Sequence, residues 1–394
     1  MDTQKGGGIP MDVTAAFSGA SSSGPQAGFK ALRESAPVLA VGGGVILSRK
    51  ADIDEAFRHP EVFSSNSDAL NIGNIRPLIP LQIDPPDHVR YRRLLDPLFA
   101  PKRMAALESH VSEAVHRRID AFADRGSCDL VPEFTIPLPS EVFLALFGLP
   151  FEELDTFLRM KDGIIRPPEP DLDGQAAHRR RTAEEMYAYF NTVLDRRASD
   201  PRDDIMSGFL GAEIEGRRLS REEILDICFL LMIAGLDTVT ASLDCFFAYL
   251  AQHADQRDRL VADPDLVPNA VEEMLRFETP VTGVPGVAVQ DAEIGGATVR
   301  TGDQVMILLG SANTDEAEFT DADDVDFDRD VNRHLAFGGG VHRCLGSHLA
   351  RLELRVALRE FHARIPRYRL APGAELSYTS GIRSLASLPL IWEA

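Results

Sequence analysis

Cysteine is scarce. The 394-residue chain has four, at positions 128, 228, 245 and 344, and none forms a Cys-x-x-Cys pair. Neither a disulfide framework nor a zinc ribbon is therefore indicated, and Cys228 and Cys245, set in apolar helical pattern, read as core residues. Long hydrophobic runs are also missing. The longest, residues 227–236, is about half of what a membrane span needs. Positive charge is in deficit, with 41 Lys and Arg against 61 Asp and Glu and a net charge of −20, which argues against nonspecific nucleic-acid binding. The first 28 residues hold Gly, Ser and Ala with Asp2 and Asp12 but no continuous apolar stretch. They read as a flexible N-terminal arm, neither signal peptide nor anchor, and a soluble cytoplasmic protein is expected. No flavin or nicotinamide fingerprint is found, so any redox chemistry must draw electrons from other proteins. No internal repeat occurs.

One of the four cysteines stands in the most informative stretch of the chain, His334-Leu-Ala-Phe337-Gly-Gly-Gly-Val-His342-Arg-Cys344-Leu-Gly346. Cys344 closes a glycine-rich loop just before a helical pattern over residues 345–365. At a helix N-terminus, free N–H groups and the helix dipole are expected to lower a thiol's pKa. Glycines let the loop backbone approach a flat ligand closely. Such a loop suits a thiolate that holds haem iron. Upstream, Ala234-Gly235-Leu236-Asp237-Thr238 interrupts the apolar helical pattern of residues 219–250. Mid-helix Gly costs roughly 1 kcal/mol, and Asp and Thr compete for backbone hydrogen bonds. Local rule-breaking inside a buried helix marks function. Between the two lies Glu273-Met-Leu-Arg276, whose i, i+3 spacing puts carboxylate and guanidinium on one helix face.

Together these three motifs resemble the signature of the cytochrome P450 family, with the resemblance running over residues 59–392. It implies a mainly α fold with a minor β region, with residues 29–394 forming a single haem domain. It also implies haem b as cofactor, held through Cys344 as metal ligand with Phe337, Gly338 and Gly346 framing the loop. Thr238 would hydrogen-bond dioxygen and Asp237 would gate proton delivery through water. Glu273 and Arg276 would join a third residue before the cysteine loop, Arg329 first and Arg333 second, to hold that loop. His88 and Arg92, spaced i, i+4, and His342 would face the haem propionates. Where the family normally supplies an arginine, the chain reads Val284-Pro285-Gly286-Val287, which leaves that propionate to water or to Arg383.

Finer resemblance is to the bacterial camphor-hydroxylase group. It implies a compact apolar, terpenoid-like substrate, O2, and a [2Fe–2S] ferredoxin with its NAD(P)H-dependent reductase, the enzyme acting as a monomer away from membranes and nucleic acids. Arg90, Arg92, Arg93, Lys102, Arg103 and Arg343 are candidates for a basic docking patch. The run of residues 178–181 reads as a solvated helix face, and the break at Arg166-Pro-Pro-Glu-Pro170 as a lid. Leu230, Ile233, Ala234, Val281, Thr282 and Ile382 match pocket positions. No tyrosine stands between Asn66 and Pro80, where the camphor enzyme supplies a donor to its ketone. An ionone-type norisoprenoid therefore fits better than camphor. Two other readings remain open: a peroxide-driven peroxygenase, and a non-catalytic haem sensor.

Overall fold

The computed structural model describes residues 24–66 and 72–393. Ser220 opens the helix that organises the rest. Its hydroxyl accepts the Glu223 amide at 3.2 Å while the Glu223 carboxylate accepts the Ser220 amide at 2.6 Å, a reciprocal cap that satisfies two orphan donors. The helix Arg221–Gln252 then runs 32 residues. Among the described residues it is the one helix long and apolar enough to cross a membrane, yet most of it is buried within the protein.

Two apolar cores share this helix. Its first half, Ile224 to Leu236, packs with Phe143, Phe157, Met186, Phe190 and Phe209. Its second half, Val239 to Leu250, packs with Phe134, Met274, Leu354 and Phe361. Full burial of each such side chain contributes about 1.5–3 kcal/mol. Asp237 and Thr238 fall at the seam between the two cores. Farther along, fully buried Asp244 accepts the Thr135 hydroxyl at 2.5 Å and the Leu385 amide at 3.0 Å, tying the helix to the chain's last segment. Burial pushes this carboxyl up to about 7, against the pull of those two hydrogen bonds.

Around the central helix lie Glu108–Asp120, Pro137–Leu146, Leu154–Ile165, Leu172–Ser199, Val267–Glu278 and Ser347–Arg364. The β region is small. A hairpin, Val38–Val41 with Gly44–Leu47, is extended by Gln304–Ile307 in parallel, then by Val284–Ala288 and Phe63–Ser64 antiparallel. A second sheet joins Arg369–Leu370, Pro389–Ile391 and Ser127–Asp129. This is the expected mainly helical fold with a minor β region.

Local departures have local causes. The expected N-terminal arm ends sooner than position 28, because Gln26 opens a helix, Gln26–Ser35. Buried Arg33 ties that helix down through the Ser311 and Thr314 carbonyls at 2.9 and 2.6 Å and Glu316 at 2.9 Å. Residues 1–23 of the arm, and 67–71 of the stretch between Asn66 and Pro80, lie outside the described residues. Two short helices, Pro101–Ala105 and Glu108–Asp120, follow one another closely. Cys128, Cys228 and Cys245 are buried.

Candidate functional site

The cysteine loop is shaped by its own backbone. The Cys344 amide donates to the Phe337 carbonyl at 2.9 Å, and the Gly338 amide to the Leu335 carbonyl at 2.8 Å. Gly338 and Gly340 take φ of +66° and +61°, the left-handed region that favours glycine. A side chain at Gly340 would also meet the Phe57 carbonyl at 2.5 Å, so the loop lies directly on the helix Lys50–Arg58. The Leu335 amide is held by the Asn313 side chain at 2.6 Å. Cys344 faces a cavity of 430 Å³, with Phe337, Gly338, His342 and Gly346 in the same wall. Its side chain is exposed to that cavity, yet the protein enclosing it raises the thiol instead of lowering it, outweighing the Gly346 amide and the charges of Arg92, Arg343 and Arg351. The helix terminus is present as expected, but desolvation overrides it until a cation takes the sulfur's charge.

Across the cavity, Ala234, Gly235 and Thr238 break the burial of the central helix and line the wall. Apart from its own stretch of helix, no atom of the described residues lies within 4 Å of where a side chain on Gly235 would begin. The Thr238 hydroxyl donates to the Ala234 carbonyl at 2.9 Å. Asp237 points elsewhere. It is 2% exposed, and its two oxygens meet Lys161 Nζ at 2.9 Å and Arg166 Nη2 at 3.1 Å. Lys161, 1% exposed, also meets Asp162 at 2.9 Å, and Arg166 meets Asp162 at 3.2 Å. A charge network thus leads from beside Thr238 to the half-exposed Arg166. Sequence reasoning missed Lys161. It placed Arg166 only in a lid. Asp237 lies 76 positions from Lys161, too far for any local pattern to join them.

Glu273 and Arg276 form a buried hub. Arg276 donates to both Glu273 oxygens, at 2.9 and 2.7 Å, and to the Asn313, Ala322 and Asp324 carbonyls. Arg329 reaches Glu273 at 3.0 Å; Arg333, the second choice, is exposed and outside the hub. Asn332 and the Asp326 amide, each at 2.9 Å, were not foreseen.

His88, Arg92 and His342 line the cavity together. The two imidazoles lie 4.2 Å apart. Both ring nitrogens of His88 and Nε2 of His342 are buried without a hydrogen-bond partner among the described residues. Burial, with Arg92 close to His88 and His88 close to His342, lowers both to about 4. Orphan buried polar atoms call for a ligand. Anionic carboxylates would satisfy them, and a flat metal-bearing group would reach Cys344 across the glycine loop, so the residues present fit haem b. Gly286 also lines this wall, and a side chain there would come within 3.0 Å of the Ser64 carbonyl. Arg383 does not substitute for the missing cation: it is committed to Glu278 at 2.7 Å and lies outside the cavity wall.

Of the six expected pocket residues, Leu230, Ala234 and Val281 line the cavity. Ile233 turns into the neighbouring core. Thr282 and Ile382 stand outside the wall, where Val281 bridges Ile382 and Thr282 bonds the Gly381 carbonyl at 3.0 Å. Unforeseen lining comes from Leu231, Val284, Ile307 and Glu353. Glu353 is buried with one oxygen unpartnered among the described residues, and burial raises its carboxyl well above the usual range. In the expected basic patch, Arg90 pairs with Asp87 and Glu215, and Arg92 with Asp96. Arg93, Lys102, Arg103 and Arg343 are exposed and have no ion pair among the described residues. The run of residues 178–181 is less solvated than its composition suggests: His178 meets Glu169 at 2.9 Å, and Arg179 meets the Ile164 carbonyl at 3.0 Å.

The comparisons with known proteins agree with this geometry. The cytochrome P450 family model matches residues 45–364. The mycinamicin IV hydroxylase/epoxidase of Micromonospora griseorubida is 37% identical, over 79% of each chain. The steroid C26-monooxygenase of Mycolicibacterium smegmatis is 33% identical, over 92% of each. A Bacillus megaterium structure in complex with corticosterone superposes with a TM-score of 0.87 at 28% identity, covering 94% of this chain and 99% of that one. The family binds haem b through a thiolate, and its named relatives are monooxygenases and hydroxylases. The chain belongs to the cytochrome P450 family and is a haem-thiolate monooxygenase.

Proposed function

We propose that this enzyme is soluble, cytoplasmic and monomeric. Its reaction hydroxylates an unactivated C–H bond of a compact apolar terpenoid, of norisoprenoid type, with O2 and electrons from a [2Fe–2S] ferredoxin and its NAD(P)H-dependent reductase. Haem b, when bound, supplies the activation of dioxygen. Cys344 is its ligand, His88, Arg92 and His342 receive its carboxylates, and Phe337, Gly338 and Gly346 shape the loop. Glu273, Arg276 and Arg329 hold that loop from behind.

The observation that carries the reading is the pairing of Thr238 at the cavity wall with Asp237 on the charge network behind it. A proton reaching the cavity must leave Asp237, and Asp237 must exchange an ionic partner to turn. Because Lys161 already has Asp162 at 2.9 Å, that exchange does not strand a buried ammonium, which would cost several kcal/mol. Half-exposed Arg166 joins the network to solvent. Neither a peroxide-driven reaction nor a haem sensor needs such a path. Arg93, Lys102, Arg103 and Arg343 offer unpaired cations to an acidic ferredoxin, whose association should weaken with salt.

The cavity is lined mostly by apolar groups, which select a substrate by shape, and the stretch between Asn66 and Pro80 offers no tyrosine to a ketone. Steroids are the second reading, favoured by the Mycolicibacterium smegmatis relative and the corticosterone-bound structure. The test is a titration of the ferric holoenzyme with β-ionone, camphor and testosterone, following the Soret shift from low to high spin. A dominant ionone response supports the norisoprenoid reading; a dominant testosterone response replaces it with the steroid one; a dominant camphor response refutes the inference from the missing tyrosine. Product formed with hydrogen peroxide alone at the reconstituted rate would favour the peroxygenase.

A further inference from the structure

Beside Glu273 stands a second carboxylate with a different set of partners. Glu272 takes Arg351 through two bonds, Nε to Oε1 and Nη2 to Oε2, each 2.7 Å. Arg355 approaches the same carboxylate at 3.4 Å and His334 Nε2 at 3.1 Å. Because His334 Nδ1 accepts the Ala336 amide at 3.1 Å, its Nε2 carries the proton and donates to Glu272. So fixed, the Arg351 guanidinium lies 4.4 Å from the centroid of the Phe337 ring, and the Phe337 carbonyl in turn accepts the Cys344 amide. Arg351 is mostly sequestered, with 17% of its side chain exposed, so solvent screens its charge only in part.

We propose that Arg351 is a positioning residue for electron uptake: stacked on Phe337 and anchored by Glu272, it makes the haem iron easier to reduce. This rests on the haem-thiolate reading. Adding one electron to the ferric iron, from a mediator in the assay, increases the negative charge at the metal and its sulfur. A cation fixed nearby favours that state, and a nearby carboxylate opposes it. The planar guanidinium is suited to the place because one face covers the ring while the edge forks onto the carboxylate. Glu272 therefore fixes the cation and at the same time offsets part of its field.

The test is mediator-based spectroelectrochemistry on the purified, substrate-free holoenzyme and its Arg351→Gln, Arg351→Lys and Glu272→Gln variants. At the wild-type midpoint, less than half of Arg351→Gln should be reduced and more than half of Glu272→Gln, with Arg351→Lys between Arg351→Gln and wild type. Opposite shifts from two residues bonded to each other are not what general loosening of the loop would give. An unchanged midpoint in Arg351→Gln, or shifts of the same sign in Arg351→Gln and Glu272→Gln, would overturn the proposal. Should Arg351→Gln fail to load haem, Arg351→Lys and Glu272→Gln still decide it by their directions. The ferrous–CO spectrum of the wild type separates the two levels: without a thiolate-type Soret band the haem-thiolate reading falls, whereas with it only the role of Arg351 is at stake.

Discussion

Replacing Asp237 by asparagine should slow turnover while leaving substrate binding intact. The carboxylate loses its links to Lys161 at 2.9 Å and Arg166 at 3.1 Å. Breaking a buried ion pair commonly costs 3–5 kcal/mol, but Lys161 keeps Asp162 at 2.9 Å and is not left unpaired. The expected stability loss is nearer that of a charged hydrogen bond, about 1.5–3 kcal/mol, within the roughly 5–15 kcal/mol typical of a folded protein. The variant should therefore fold and load haem. Proton transfer is another matter. Loss of a positioned acid–base group typically removes about 10²–10⁴-fold in rate, equivalent to roughly 3–5 kcal/mol of barrier. The assay is kcat with reconstituted ferredoxin, alongside the ferric spin-state titration, which should not move because Asp237 is outside the cavity wall. Asp162→Asn removes the alternative partner of Lys161 and should give a smaller fall in the same step. Wild-type kcat in Asp237→Asn would refute proton delivery through this network and leave it a purely structural one.

Thr238→Ala should bind substrate normally but divert electrons to hydrogen peroxide; tight coupling of NAD(P)H use to product would remove Thr238 from the oxygen chemistry. Glu273→Gln should destabilise by about 3–5 kcal/mol, since Arg276 and Arg329 lose their shared charge, and should release haem earlier in a urea titration; an unmoved midpoint would show that the hub is dispensable. Asp244 gives a pH prediction. Its carboxyl is raised to about 7 in the folded state from 3.8, so between those values the folded protein holds the proton better than the unfolded chain does. Its contribution should fall as pH rises through that window, by up to about 1.4 kcal/mol per pH unit, and level off above it. Asp244→Asn, which mimics the protonated carboxyl, should lose that fall in a urea series from pH 4 to 8; an identical slope in both proteins would assign the titration elsewhere.

What the sequence disclosed, and what it did not, divides by distance along the chain. Cys344, its glycines and His342 lie within eight positions of one another, so local spacing was enough to read them as one loop. The Asp237-Thr238 interruption was legible because it violates the apolar pattern of its own helix. Long helices were legible for the same reason, as their period of 3.6 repeats over many turns. Lys161, Asn332 and Arg351 were not, since each acquires its meaning from a partner tens of positions away. Ile233, Thr282 and Ile382 were assigned to the pocket by correspondence of position, but one turn of helix or one residue of strand register decides whether a side chain meets the cavity or the core. For Cys344, helix-terminus reasoning gave the direction of one force, and desolvation by the protein around the cavity, invisible locally, supplied the larger one.

The Glu273 hub bears on the order in which the enzyme is assembled. One carboxylate gathers Arg276 from its own helix, Arg329 and Asn332 from the approach to the cysteine, and the Asp326 amide between them. Those contacts, with Asn313 on the Leu335 amide, fix the far side of the loop through the polypeptide alone. The conformational entropy of that segment is thus spent during folding, not charged against cofactor capture. Haem incorporation should then resemble docking onto a finished seat, with an on-rate governed by access to the cavity.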